Sequence, residues 1–186
     1  MPLSAPQPRE HIHTREITCT GYRRADGLWD IEGHLIDTKT YAFHNDERGD
    51  VPPGVPVHEM WIRITVTDRL EIMEVEAATD YSPFALCRAV TPNFQRLVGL
   101  RIGPGWRNRA LAKVGGVEGC THIVELLAPV ATTAFQTIFP IKNREQPKTS
   151  APSDTPPRLL NTCHAFRSDG AKVKEIWPNF YDGPET

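Results

Sequence analysis

His58-Glu59-Met60-Trp61-Ile62-Arg63-Ile64-Thr65-Val66-Thr67, continued past Asp68-Arg69 by Leu70-Glu71-Ile72-Met73-Glu74-Val75-Glu76-Ala77, decides the fold class. Both runs alternate polar and apolar side chains. Successive side chains of a strand point to opposite faces, so a period of two buries one face and leaves the other in water. Asp68-Arg69 joins the two runs as a turn and makes them an antiparallel pair. With the helical patterning farther along the chain, this predicts an α+β protein, an antiparallel sheet with helices packed on one face.

Toward the N-terminus, Arg15 to Arg23 and Leu28 to Ile36 form a second strand-like pair, joined by Arg24-Ala25-Asp26-Gly27. Asp-Gly supplies hairpin turn chemistry, so an N-terminal hairpin is expected. Residues 1–9, with Pro2, Pro6 and Pro8, read as a loose tail, and Asn45 to Pro56, rich in proline, glycine and acidic residues, reads as a surface loop.

Toward the C-terminus, Tyr81-Ser82-Pro83 is a loop leading past Cys87 into a short helix over Pro92 to Val98. Trp106 to Val114 reads as a helix stopped at Gly115-Gly116. Ile123, Leu127, Val130, Ala134 and Ile138 recur at the helical period and predict a long helix over Thr121 to Ile138, with Pro129 as a point of kinking. Lys142 to Arg158 is a proline-rich linker. Cys163 to Phe166 and Ala171 to Trp177, around Ser168-Asp169-Gly170, suggest a closing hairpin. The expected organisation is one domain, with a tail at 1–9, a core at 10–141, a linker at 142–158 and a C-terminal hairpin at 159–181.

The 186-residue, 20.9 kDa chain is 39% hydrophobic and 24% charged, a globular composition for a single domain. Its formal net charge is −2 and its basic residues are scattered, which argues against nucleic acid as a partner. Apolar runs fall short of the roughly 20 residues a membrane span needs, so no membrane association is expected. Met1 to Pro8 lacks a basic leader followed by an apolar stretch, which points to the cytoplasm. In a reducing compartment Cys19, Cys87, Cys120 and Cys163 read as thiols or metal ligands rather than disulfides. The oligomeric state is open.

Chemistry gathers at Gly119-Cys120-Thr121-His122. Cys120 stands where the long helix begins, so unpaired backbone N–H groups and the helix dipole favour its thiolate, the form that binds metals. His122 adds an imidazole in the same turn, a combination suited to Zn or Fe. Cys87 is the best third ligand, and His58 or Asp80 completes the set. The same residues support two other readings. Cys120 packs as a small hydrophobe, or the site serves an enzyme on a small-molecule substrate, either a metal-assisted lyase or hydrolase with an open coordination position or a Cys120 thiolate nucleophile with His122 as base, Glu125 then serving as acid or base. Cys19 and the pair Cys163-His164 read as structural. Gly99 to Gly105 lacks the spacing of a phosphate loop, but Arg101, Arg107 and Arg109 beside it offer forked donors to an anionic substrate. In a third reading the cysteines only pack and partners dock on the proline-rich stretches at 45–56 and 142–158.

Gly21-Tyr22-Arg23-Arg24-Ala25-Asp26-Gly27-Leu28-Trp29-Asp30-Ile31-Glu32-Gly33, Leu97-Val98-Gly99-Leu100 and Gly119-Cys120-Thr121-His122-Ile123-Val124-Glu125-Leu126-Leu127 together resemble a bacterial family catalogued as a domain of unknown function, DUF2889. That resemblance spans most of residues 10–180 and implies no activity. More distantly, residues 58–138 resemble in element order the NifU/IscU-type iron–sulfur scaffold proteins, which implies an IscU/NifU-like core flanked by the N- and C-terminal hairpins. In that resemblance His58, Cys87 and the Cys120/His122 pair occupy the ligand places. The chain departs from the pattern in having His58 where the scaffolds have cysteine, Leu86 and Arg88 rather than glycine beside Cys87, and the order Cys-x-His. On this reading the protein binds a metal ion, Zn or Fe, with an enzyme at the same residues as the alternative.

Overall fold

The computed structural model describes residues 3–145 and 155–184. Strands β1 (His13–Arg23), β2 (Trp29–Lys39), β5 (His58–Val66) and β6 (Ile72–Tyr81) form one antiparallel sheet in the order β1-β2-β5-β6. β3 (Phe43–Asn45) and β4 (Gly49–Val51) make a small separate hairpin inside the stretch expected to be plain loop. Asn45 organises it, its side-chain oxygen accepting from the backbone N–H groups of Glu47 and Arg48, while Gly49 takes a φ of 72°. The fold class is therefore α+β, with a four-stranded antiparallel sheet.

The turn between β1 and β2 forms as its sequence dictates. Asp26 accepts from the N–H of Leu28, and Gly27 adopts a φ of 87° that a Cβ would disfavour. Both strands run farther than their alternation suggested, and β2 continues through Asp37 to Lys39. Along β2 the buried positions are Trp29, Ile31, Gly33, Leu35 and Asp37, so the alternate residues face the core up to the last. In β5 the inward set is His58, Met60, Ile62, Ile64 and Val66, of which all but His58 are fully buried.

Above this face lies helix α2 (Thr121–Glu145), longer than its periodicity indicated. At 1.5 Å per residue it measures about 37 Å, enough to cross the sheet from end to end. It does so. At its start Glu125 pairs with Arg15 of β1, and at its end Glu145 pairs with Arg23 and Lys142 with Asp68, beside the opposite turns. Ile123, Leu126, Leu127, Val130, Ala131, Ala134 and Ile138 are its buried residues. By length and composition α2 alone among the described helices is apolar enough to cross a membrane, and here that apolar stripe covers the sheet. Pro129 and Pro140 lie within it, each removing the N–H that would bond to the carbonyl four residues earlier.

Two glycines let the helix sit close. A Cβ on Gly33 of β2 would lie 2.7 Å from Val130 and 3.3 Å from Ile62, and one on Gly21 of β1 would fall on Thr137. Helix α1 (Trp106–Val114) closes the core through Trp106, Ala110 and Val114, and Gly116, at a φ of 58°, turns the chain after it. A run of 3-10 turns over Ala85–Leu97 flanks β6 and buries Phe94 and Leu97. Gly119 then passes so tightly against the last carbonyl of α1 that no side chain fits there, which fixes where α2 begins.

Residues fall into two compact units, 1–145 and 146–186. The proline-rich stretch begins as helix, since Lys142 to Glu145 belong to α2, and residues 146–154 lie outside the described part. In the second unit the expected hairpin is replaced by a 3-10 turn at His164–Phe166, helix α3 (Ala171–Ile176) and another 3-10 turn at Pro178–Phe180. Gly170 serves as the residue before a helix rather than the corner of a hairpin.

Candidate functional site

Antiparallel pairing sets three polar side chains in one row. Arg15 is the cross-strand partner of Asp37, and Asp37 is the partner of His58. All three project from the core face of their strands at the end where α2 begins. Asp37 is 2% exposed and ionised, and it is saturated with donors. Oδ1 accepts from Arg15 Nε at 2.8 Å and from His13 Nε2 at 3.1 Å. Oδ2 accepts from Arg15 Nη2 at 2.7 Å and from His58 Nδ1 at 3.0 Å. A carboxylate only accepts, so His58 carries its proton on Nδ1 and keeps the lone pair on Nε2.

The first turn of α2 brings the fourth member. His122 stacks on His58 with ring centroids 3.8 Å apart and planes inclined by 29°, and its Nε2 lies 4.0 Å from Asp37 Oδ2. Donor atoms of Asp37, His58 and His122 lie within 4.8 Å of one another. On the other edge of the ring His122 Nδ1 is 3.8 Å from Cys120 Sγ, which in turn is 3.8 Å from Met60 Sδ. One helical turn along, Glu125 holds the remaining nitrogen of Arg15.

Burial governs the electrostatics. It pushes both imidazoles below their ordinary value, helped by His122 acting on His58 and by Arg15 acting on His122, so the neutral form prevails in each. Burial alone would raise Asp37, but the hydrogen bonds and charge of Arg15, with a contribution from His58, outweigh it and hold the carboxyl below its usual range. The cluster thus gathers a buried carboxylate, two neutral imidazoles and a thiol at the end of the sheet where α2 begins.

Of the residues singled out from sequence, His58, His122, Cys120 and Glu125 gather here. Cys87 sits in the 3-10 run after β6, outside the group of converging donors. Asp80 lies across the sheet, accepting at 2.9 Å from the indole of Trp61, which stands on the outer face stacked against His34. Arg101 and Arg107 lie near the far end of β5. Arg101 donates to the carbonyl of Arg69 and bridges Glu71, Arg109 donates to the carbonyls of Pro104 and Arg101, and Arg107 is exposed. At about 3.3 Å per residue the length of β5 puts more than roughly 20 Å between that loop and His58. A surface cleft lined by Arg24, Asp30, Arg63 and Glu74 also belongs to that far end. Cys19 packs under α2 beside Thr133, where burial raises its thiol.

Asp37, Arg15, His13 and Met60 are the members that the sequence reading did not assign to a site. Asp37 was legible in principle, because the alternation Trp29, Ile31, Gly33, Leu35 runs on to position 37 and puts an acid on the buried face. A family model described as "Protein of unknown function (DUF2889)" matches residues 13–136, two thirds of the chain, and the chain belongs to that family. No curated protein and no solved structure matches it. Every residue of the cluster falls inside the matched stretch.

Proposed function

We propose that the protein binds a divalent metal ion, zinc or ferrous iron, through Asp37, His58 and His122. One observation carries this reading, the convergence of a carboxylate and two imidazoles whose donor atoms lie within 4.8 Å of one another. Two histidines and a carboxylate make up a recurrent ligand set for both ions. Metal ligation requires neutral imidazole and ionised carboxylate; burial favours the first in His58 and His122, and the hydrogen bonds and charge of Arg15 favour the second in Asp37. The second sphere is also in place. His13 and Arg15 hold Asp37, and Glu125 holds Arg15, so the guanidinium has a second anion to lean on when a cation takes its share of Asp37.

Metal analysis of anaerobically purified protein, with reconstitution by Zn(II) or Fe(II), tests the proposal. The expected content is one ion per chain in wild type and in Cys87→Ala and Asp80→Ala. Asp37→Ala, His58→Ala and His122→Ala should lose it. Failure of the wild type to take up either ion, or full content in His122→Ala, refutes the reading.

A second reading uses the same histidine for thiol chemistry on a small organic substrate. It is favoured by the line from Cys120 Sγ through His122 to Asp37, at 3.8 and 4.0 Å, the order of groups in which an oriented base activates a nucleophile. Here His122→Gln should slow alkylation of Cys120 while leaving that of exposed Cys163 unchanged, and equal rates would remove the reading.

A further inference from the structure

His122 turns one edge of its ring to each of two unlike sets of donors. Nε2 faces the Asp37 carboxylate, whereas Nδ1 faces sulfur. We propose that Cys120 Sγ, Met60 Sδ and His122 Nδ1 form a second metal site, selective for a soft monovalent cation of the Cu(I) class. The proposal does not rest on the divalent centre, with which it shares only His122.

Spacing is the first support. Ligands held about 2.0–2.3 Å from one ion, at tetrahedral to trigonal angles, stand about 3.3–4.0 Å from each other. The Sγ–Sδ and Sγ–Nδ1 separations are both 3.8 Å. Donor type is the second. Thiolate and thioether are polarisable and favour Cu(I) over Mg, Ca or Mn, which take oxygen ligands. Asp37, the carboxylate of the cluster, faces the other edge of the ring.

Position is the third. Met60 interrupts an inward row of β5 otherwise continued by the β-branched Ile62, Ile64 and Val66, and it is the unbranched residue at the point where the helix start meets the sheet. Its thioether is fully buried and held by its neighbours, whereas Cys120 is only half-buried, leaving a side open for entry of an ion. Cys120 is also the residue whose carbonyl accepts the first bond of α2, from Val124.

The chain has three methionines, Met1, Met60 and Met73, so their methyl groups report separately in carbon–proton spectra. Full-length protein with reduced thiols is titrated anaerobically with Ag(I), a redox-inert probe of the same class, and Cu(I) affinity is measured against a competing chelator. One equivalent of Ag(I) is expected to shift the Met60 methyl and leave those of Met1 and Met73 in place. Met60→Leu keeps the core volume and should weaken Cu(I) binding at least about tenfold, or about 1.4 kcal/mol. Cys120→Ser should abolish it, and Cys87→Ser and Cys163→Ser, at thiols outside the cluster, should leave it unchanged. An unmoved Met60 methyl, which needs no variant to observe, overturns the proposal, as does equal affinity in a folded Met60→Leu protein, which would mean that the thiol binds alone. Weakened Cu(I) binding with full Zn(II) or Fe(II) content in Met60→Leu would show that the sulfur ligands act apart from the divalent set.

Discussion

Asp37 shows how one residue organises a site. Its carboxylate is surrounded by Arg15, His13 and His58, and through His122 it meets the helix. Acids are seldom found at buried positions, so a strand reading stops before one, and that is why β2 was expected to end at Ile36. His58 and His122 were legible because histidine types invite attention; Met60, an ordinary core residue by composition, was not. The two imidazoles also set a pH dependence. Both titrate below the ordinary 6.5, so the folded chain resists protons that the unfolded chain accepts. Their contribution to stability is complete above pH 6.5 and is lost as pH falls toward the folded values. Asp37, lowered from 3.8, adds a further loss only in stronger acid. Urea midpoints should stay level above pH 6.5 and decline below it, with a shallower decline in His122→Gln. A midpoint that rises on acidification would contradict the burial argument.

At the scale of elements, β5, β6, α1 and the body of α2 could be read from periodicity because each buries one face, which is the condition under which a period appears. The C-terminal hairpin was misread because short alternating runs do not separate strand from helix, and Ser168-Asp169-Gly170 suits either a corner or a helix start. What periodicity cannot supply is the depth at which α2 rests on the sheet. Gly33 sets it, with room for no side chain beneath Val130. Gly33→Ala should therefore cost about 1–3 kcal/mol. In the double variant with Val130→Ala, the loss should be at least about 0.5 kcal/mol smaller than the sum of the single losses. Additive losses in denaturant unfolding would show that the contact does not limit the approach. Since His122 rides on the same helix, Gly33→Ala should also weaken metal binding without touching a ligand.

Taken whole, the molecule places its hydrophobic core, its cluster and its family match within residues 1–145, the last of these over 13–136. A chain ending at Glu145 should unfold cooperatively and keep whatever Zn(II) or Fe(II) uptake the full chain shows, as judged by urea unfolding and metal analysis; a non-cooperative transition would mean that the second unit is needed. The way the cluster is wired has a further consequence, one of timing. Asp37 and His58 are 21 residues apart and meet when neighbouring strands pair, but Arg15 and Glu125 are separated by 110. Hairpins close within about 1–10 µs, while contacts between distant parts of a chain form late. On the ribosome the delay between Asp37 and His122 is on the order of ten seconds. His122 thus joins Asp37 and His58 only with α2, and if the cluster holds an ion as proposed, its capture is a checkpoint that only a chain with its helix already landed can pass.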